Sequence, residues 1–200
     1  MKNGQTGKQQ PFGKARKSGK TTGASQPSEI THPAILKKPS LPENVLTAAN
    51  RIIQIKDKSL RLRSLKEKIK DPFPQMNQFL LELLVDSSEE IRDFLISILG
   101  EKEDLELNEI YPKLQESPWY IRSAALRILE KRNDPSALSR IKPLLGDLNA
   151  DVRKTAAQTL GTLGTPEALA LLAKLTQDSN PYVAKAAKEA MEKASQLKFV

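Results

Sequence analysis

The apolar and polar positions of the chain repeat with a period of about 31 residues from residue 60 onward. In four copies an acidic residue precedes an apolar residue by five positions. These pairs are Asp86 and Ile91, Glu116 and Ile121, Asp147 and Val152, and Asp178 and Val183. The acids lie 30, 31 and 31 residues apart, and such a fixed period is the signature of a repeat architecture. Stacked units explain this shared phase better than an ordinary helical bundle does.

Each copy predicts a first helix with a single apolar face. After Ile121 the apolar positions recur at spacings of three and four residues, which is typical of an amphipathic helix. The residues of this face are Ile121, Ala124, Ala125, Ile128 and Leu129. The copies that contain Ile91, Val152 and Val183 follow the same pattern. The alanines on the face allow each helix to approach its neighbour closely.

A second helix follows a break that contains Gly or Pro, residues that suit a helix end and a helix start. The leading apolar positions of these second helices lie 31 residues apart, at Met76, Leu107, Leu138 and Leu169. Each unit is therefore predicted to be a helix–turn–helix of about 31 residues. One unit cannot bury its apolar face alone, so several units must stack to share a continuous core. The predicted fold class is all-α, an α-solenoid.

The repeat also divides the chain into segments. Residues 1–42 are a basic N-terminal tail, residues 43–58 a capping helix and residues 59–200 the repeat array. The units of the array lie near 59–86, 87–116, 117–147 and 148–178, and a terminal helix lies near 179–196. The polar outer face of that terminal helix suits the end of a solenoid.

The positive charge of the chain is concentrated in its N-terminal third. Residues 1–44 and 45–70 each carry a net charge of +6, whereas residues 71–200 carry −4. The first forty residues contain so few apolar side chains that burial cannot offset an ordering cost of about 1–2 kcal/mol per residue. We therefore predict that the tail is disordered.

A basic tail attracts polyanions such as nucleic acid, because binding releases condensed counterions. The candidate polyanion-binding residues are Lys14, Arg16, Lys17, Lys20, Lys37 and Lys38. The alternative is a solubilising tail that has no specific partner. Phe12 is the only Phe, Trp or Tyr in the tail, so the sequence gives no support for base stacking.

One stretch carries the repeat pattern most fully. Its matching residues are Asp147, Val152, Arg153, Ala156, Leu160, Gly161, Leu163, Gly164, Pro166, Glu167, Ala168, Leu169, Leu172, Leu175 and Asp178. This stretch resembles the short HEAT repeat, including the HEAT-like repeats of phycobilisome lyases; residues 116–147 resemble it well and residues 86–116 more loosely. The resemblance implies a right-handed superhelix whose first helices lie on the convex side and whose second helices line a concave groove.

The resemblance also implies a role for the repeated charges. Basic and acidic residues near the helix starts would form a polar ladder between units, and an Asp or Ser there would cap the following helix. The residues of this ladder are Arg92, Arg122, Arg153, Asp86, Glu116, Asp147 and Asp178. In the terminal copy Ala184 stands in place of the basic residue.

The residue types present exclude several kinds of chemistry. The chain has no cysteine and one histidine, His32, so it offers no disulfide, no thiolate zinc site and no site with several histidines. HEAT-repeat iron hydroxylases use His–Glu dyads as metal ligands, and here His32 is followed by Pro33. HEAT-like DNA glycosylases line their groove with aromatic and acidic residues, but we expect Trp119 to pack between units. No catalytic residue, cofactor or metal is predicted.

The main hypothesis is a non-catalytic, cytoplasmic scaffold that binds a protein partner through the concave groove and extends a basic disordered arm. Two alternatives stay open. One is a nucleic-acid-associated HEAT protein that uses residues 1–70 to bind phosphate, and the other is a lyase or chaperone for phycobilin chromophores. The sequence shows no convincing targeting signal and no apolar run long enough to cross a membrane, so we expect no membrane span.

Overall fold

A computed structural model provides the structure, and it describes residues 43–196. Within this range the regular elements are all helices. The α-helices are α1 Glu43–Ile53, α2 Lys58–Lys70, α3 Met76–Glu82, α4 Glu89–Glu101, α5 Leu107–Ile110, α6 Trp119–Arg132, α7 Leu138–Ile141, α8 Ala150–Leu163, α9 Pro166–Leu175 and α10 Pro181–Gln196. Short 3-10 helices cover Leu83–Val85, Tyr111–Gln115, Pro135–Ala137 and Lys142–Gly146. The predicted tail and its six candidate polyanion-binding residues lie outside the described residues.

The helices form successive two-helix units. The first helices α4, α6, α8 and α10 each pack against the next, and together they form a continuous layer. The second helices lie beside this layer, and α9 packs against both α8 and α10. At the N-terminal end α1 packs against α2 and α3, so it covers the first unit. The all-α solenoid predicted from the sequence is confirmed.

Buried apolar faces and small residues hold the first-helix layer together. In α6 the side chains of Ile121, Ala125 and Leu129 are buried. Full burial of one large aliphatic side chain contributes about 1.5–3 kcal/mol. Gly161 of α8 lies so close to α10 that an added Cβ would stand 2.6 Å from the Cβ of Ala190. The layer therefore depends on small side chains where two first helices meet.

Prolines shorten the second helices of two units. α5 and α7 have four residues each and continue as 3-10 helices through Pro112 and Pro143. Proline lacks the N–H that an α-helix needs in its interior, so the chain changes to the tighter helix. α9 has proline only at its first position, Pro166, and it runs for ten residues. Hydrophobic periodicity alone does not reveal this change of helix type.

The glycines near the ends of the first helices have two different roles. Gly164 ends α8 in the left-handed conformation, with φ of 57°, as expected after a helix. Gly100 and Gly161 lie inside α4 and α8. There the missing side chain makes room for Lys131 and Ala190 of the next first helix.

Candidate interaction surfaces

Arginine–aspartate pairs connect neighbouring units at the turns that lead into the first helices. Arg122 at the start of α6 donates from Nε and Nη2 to both carboxylate oxygens of Asp147, at 2.7 and 2.8 Å. Its third nitrogen, Nη1, donates to the backbone carbonyls of Glu116 and Ser117, at 2.7 and 2.8 Å. This planar two-point contact is the strongest geometry for an arginine and a carboxylate. We call such an arrangement a clamp, because one guanidinium holds two successive turns.

The clamp recurs in the following unit and in the first one. Arg153 holds Asp178 at 2.8 and 2.9 Å, and Arg61 holds Asp86 at 2.8 and 3.0 Å. Each aspartate lies 25 residues after its arginine. Arg61 is missing from the predicted ladder, although it lies 31 residues before Arg92 and has this spacing to Asp86. The 25-residue spacing is the sequence signal that could have found it.

Arg92 makes a different set of contacts. Twenty-five residues after it stands Ser117, and the acidic residue Glu116 lies one position earlier. The Arg92 guanidinium instead stacks on the ring of Tyr120, 4.8 Å from its centroid, and donates to the Asp86 carbonyl at 2.6 Å. The Tyr120 hydroxyl in turn donates to the Val85 carbonyl at 3.4 Å. An aromatic ring therefore takes the place of the carboxylate at this joint.

Glu116 forms an ion pair with the buried Lys113 at 3.6 Å, and Lys113 also binds Glu82 at 2.7 Å. This lysine reaches back across one unit, since Glu82 lies in α3 and Lys113 in the following unit. Of the predicted ladder residues, the structure thus brings Arg122 to Asp147 and Arg153 to Asp178. It also places Asp86 with Arg61 and Glu116 with Lys113.

In α8 and α10 the helix cap comes from asparagine and not from the ladder acid, whereas Asp57 caps α2. Asp147 accepts a hydrogen bond from the Asn149 N–H at 2.8 Å, which shapes the turn. The Asn149 side chain then accepts from the Asp151 N–H at 2.8 Å and caps α8. Asp178 and Asn180 repeat the arrangement before α10. In these two units the capping role that the resemblance implies for the acids thus belongs to the residue two positions later.

The clamps lower the pKa of two aspartates. For Asp147, burial raises the pKa, but hydrogen bonds from Arg122 and the Asn149 N–H outweigh it, so the pKa lies below its ordinary value. For Asp178, the hydrogen bond from Arg153 is the largest effect and likewise holds the pKa low. Both carboxylates are therefore charged at neutral pH, which the bidentate contact requires.

The described basic residues near the N-terminal end are mostly exposed. Arg51 lies on α1, Lys56 in the turn that follows and Arg63 on α2. All three are exposed and form no ion pair with any residue in 43–196. Lys66 lies over the ring of Phe94, 5.2 Å from the centroid, and Lys68 over Phe73 at 4.9 Å. The next unit has the opposite character, since residues 87–116 contain nine acidic and three basic residues, a net charge of −6.

Large apolar side chains are exposed along one edge of the array. We define the turn edge as the five turns that lead into first helices, at 54–57, 86–88, 116–118, 147–149 and 176–180. Within four residues of these turns lie Leu60, Val85, Trp119, Leu148 and Tyr182, which are all exposed. Elsewhere in residues 43–196 the only other exposed large apolar side chain is Leu46.

Trp119 lies between α4 and α6, but it is not enclosed there. Its ring meets Tyr120 edge-on, with centroids 6.0 Å apart, and 42% of the residue is exposed. A shallow cavity of about 80 Å³ beside it is lined by residues of both helices, among them Glu89 and Arg127. A second cavity, of about 370 Å³, lies where α10 meets α8, and its lining includes Gly161, Ala186, Ala190 and Glu130.

Two kinds of site are absent from the described part of the chain. In residues 43–196 no group of three histidine, cysteine or carboxylate side chains is placed to hold a metal ion. In the same range no helix has the length and apolar character needed to span a membrane.

Stacked two-helix units whose first helices form one layer define an α-solenoid. Residues 107–192 match the family model for HEAT repeats. This part of the chain belongs to the HEAT-repeat family.

A solved structure, that of human deoxyhypusine hydroxylase in complex with glycerol, is similar, with a TM-score of 0.52 and 18% sequence identity. The alignment covers 78% of this chain and 64% of the hydroxylase chain. This chain therefore spans less than two thirds of the length of the hydroxylase. Such a low identity shows the shared fold alone. No curated protein matches the chain. The narrower resemblance to phycobilisome lyases finds no support in these comparisons and stays a prediction.

Proposed function

We propose that this HEAT-repeat protein is a non-catalytic scaffold that binds a protein partner. The observation that carries the proposal is how the array uses its charged groups. Among the described residues, the buried charged side chains are Arg61, Asp86 and Lys113, and each binds an opposite charge. Catalytic acids and bases stand out as buried groups whose pKa is tuned for proton transfer. Here the buried charges join neighbouring units instead.

The same contacts favour a preformed binding surface. Clamps connect the turns, and buried alanines and glycines fix the spacing of the first helices. A surface held in this way loses little conformational entropy when a partner binds, which favours affinity. The groove of second helices, which the HEAT resemblance implies, is the location that we propose first. The basic arm of residues 1–42 would add electrostatic attraction.

The test is capture and reconstitution. The full chain is immobilised, captured proteins from the source cells are identified, and one is purified and titrated against the full chain by calorimetry. The proposal expects a saturable complex of fixed stoichiometry that forms without turnover of any added substrate. Catalytic turnover by the purified chain itself, or failure of every purified candidate to bind, would contradict it.

A second candidate function has its own observation. Arg51, Lys56 and Arg63 are exposed and have no carboxylate partner among the described residues, and the basic tail precedes them. These groups are free to contact phosphate, so we keep a nucleic-acid-associated role for residues 1–70 as the alternative. Fluorescence anisotropy with a labelled DNA duplex tests it. Affinity must fall steeply with salt concentration and drop further when residues 1–42 are removed.

The chromophore-lyase alternative makes a separate prediction. Mixing the full chain with a free bilin must change the visible absorbance spectrum if the protein binds or isomerises the chromophore. An unchanged spectrum excludes that role. The cytoplasmic location also stays a prediction, and imaging of the tagged full chain in its own cells tests it.

A further inference from the structure

One large exposed apolar side chain lies at or near each turn of the turn edge. Val85, Trp119 and Leu148 lie at three successive turns, and the clamps show that such turns are neighbours in space. Tyr120 connects Val85 and Trp119, since its hydroxyl donates to the Val85 carbonyl and its ring meets Trp119. Half-exposed Trp and Tyr beside an arginine are the residue types that dominate binding energy in protein interfaces.

A carboxylate without an ion pair among the described residues lines the cavity beside Trp119. Glu89, at the start of α4, is exposed and forms no ion pair with any residue in 43–196. The two cations that line the same cavity have other contacts, since Arg92 stacks on Tyr120 and Arg127 pairs with Asp93. The unit to which Glu89 belongs carries a net charge of −6 over residues 87–116. A partner that approaches Val85 and Trp119 therefore meets a carboxylate that has no described counter-charge.

The spacing of the turns limits the shape of the partner. Packed helices lie about 8–10 Å apart, so successive turns are separated by about the same distance. In an extended polyproline-II segment, residues three apart lie on one face about 9 Å from each other. Such a segment would place one apolar side chain on Val85 and the next on Trp119, with the residues between them over Glu89.

We infer that the turn edge around Val85, Glu89 and Trp119 is a docking surface for an extended segment of a partner protein. The segment has two apolar side chains three residues apart and a lysine or arginine between them. The inference rests on the proposed scaffold function and moves the contact from the second-helix groove to the turn edge. It uses surface groups that the clamps leave free.

The experiment selects peptides with the full chain. A phage-displayed library of random dodecapeptides is panned on the full-length protein, and recovered peptides are synthesised with a fluorescein label for anisotropy. The expected peptides carry an apolar–x–x–apolar pattern with Lys or Arg inside it. Because Trp119 is the only tryptophan, its emission must also shift to shorter wavelength when an unlabelled peptide without tryptophan binds.

Variants then locate the contact. Trp119→Ala must weaken binding at least about tenfold, as expected for a central interface residue, and Trp119→Phe must weaken it less. Glu89→Lys must also weaken peptide binding. Because Glu89 is exposed, this substitution leaves the core intact, so a loss of affinity is not explained by misfolding. The matched control is Glu103→Lys, which makes the same charge change on an exposed residue of the same unit away from the turn edge. It must leave the affinity within about twofold.

Other results would overturn the inference. Recovered peptides that bind Trp119→Ala and Glu89→Lys as tightly as the wild type place the site elsewhere. If they lose affinity for Arg140→Glu or Lys142→Glu on the second helix of the third unit, the scaffold proposal stands and the turn edge is wrong. If panning recovers no binding peptide, the inference fails by itself. If no captured protein binds either, the scaffold proposal fails with it.

Discussion

The joint between α6 and α8 and the joint between α4 and α6 are built from the same repeat, but different contacts hold them. At the first joint Arg122 clamps Asp147, while at the second Arg92 stacks on Tyr120. The difference comes from a single position, because the interval between acids is 31 residues at the first joint and 30 at the second. A shift of one residue in a turn is thus enough to replace an ion pair by a cation–ring contact, while both apolar faces stay buried.

The largest expected effect comes from the apolar face that both joints share. Leu160 of α8 is fully buried, so Leu160→Ala removes core contacts and must lower the free energy of unfolding by about 2–5 kcal/mol. Gln158→Ala, at an exposed position of the same helix, must change it little. Urea unfolding followed by circular dichroism measures both. Equal losses at the two positions would mean that the buried face of α8 is misassigned.

Breaking a clamp comes next. Asp147→Asn removes the charged acceptor of Arg122, whose side chain is only 15% exposed, and must cost about 2–3 kcal/mol of unfolding free energy. Glu192→Gln is the control, since Glu192 is exposed on α10 and its side chain has no ion partner among the described residues. If both substitutions cost the same, the clamp does not stabilise the α6–α8 joint.

Close packing gives a third comparison, between two glycines. At Gly161 a new methyl group meets the Ala190 Cβ and backbone, which cannot move aside, so Gly161→Ala must destabilise the protein by about 1–3 kcal/mol. At Gly146 it would meet no atom within 4 Å. Gly146→Ala must therefore be neutral or stabilising by about 0.4–1 kcal/mol, because alanine has less conformational freedom than glycine in the unfolded chain. Thermal melts of the two variants decide, and a reversed order would contradict the packing.

The clamps also predict how stability depends on pH. A carboxyl group whose pKa is lower in the folded protein adds stability above its unfolded pKa, and this stability is lost as the pH falls through the folded value. For Asp147 and Asp178 the ordinary pKa is 3.8, so the loss begins below about pH 4. Unfolding free energy measured by urea at pH 2–7 must fall less steeply in acid for the double variant Asp147→Asn, Asp178→Asn. Identical slopes would exclude the effect.

The substitution with the smallest expected effect would make the α4–α6 joint like the α6–α8 joint. Ser117→Asp places a carboxylate 25 residues after Arg92, the spacing of the other clamps. If Arg92 leaves the Tyr120 ring to form a clamp, stability must rise by about 0.5–1 kcal/mol, since the lost ring contact offsets part of the gain. A double-mutant cycle with Arg92→Lys isolates the pair. A coupling energy of zero would show that turn geometry, and not only residue identity, sets the contact.

The sequence predicts the repeated units well because burial of one apolar face is a local property. Ile121, Val152 and Val183 recur in phase, and all three are buried in first helices. The register places Arg122 and Asp147 in one predicted ladder, and the structure shows that they pair. A period of about 31 residues does not predict the partner of Arg92, because it does not resolve which of two adjacent turn positions faces the guanidinium.

Other features depend on neighbours that a single helix pattern does not contain. The exposure of Trp119 is set by how α4 and α6 meet, and an apolar pattern only indicates that an aromatic residue prefers burial. Arg61 is difficult to find in the sequence for a different reason. It follows Leu60, which is exposed, whereas the equivalent residues of the other units are buried. The prolines that change the helix type, Pro112 and Pro143, could have been interpreted directly from the sequence.

The clamps have a mechanical consequence. Arg122 binds the carbonyls of one turn and the carboxylate of the next, and Arg153 continues from that turn to Asp178. Tension applied along the array would thus be carried by ion pairs from turn to turn, and at Tyr120 it would pass through a softer aromatic contact. Under such tension the turns of the α4–α6 joint would separate before the clamped turns, while the Arg127–Asp93 ion pair would still connect the two helices beyond the turn.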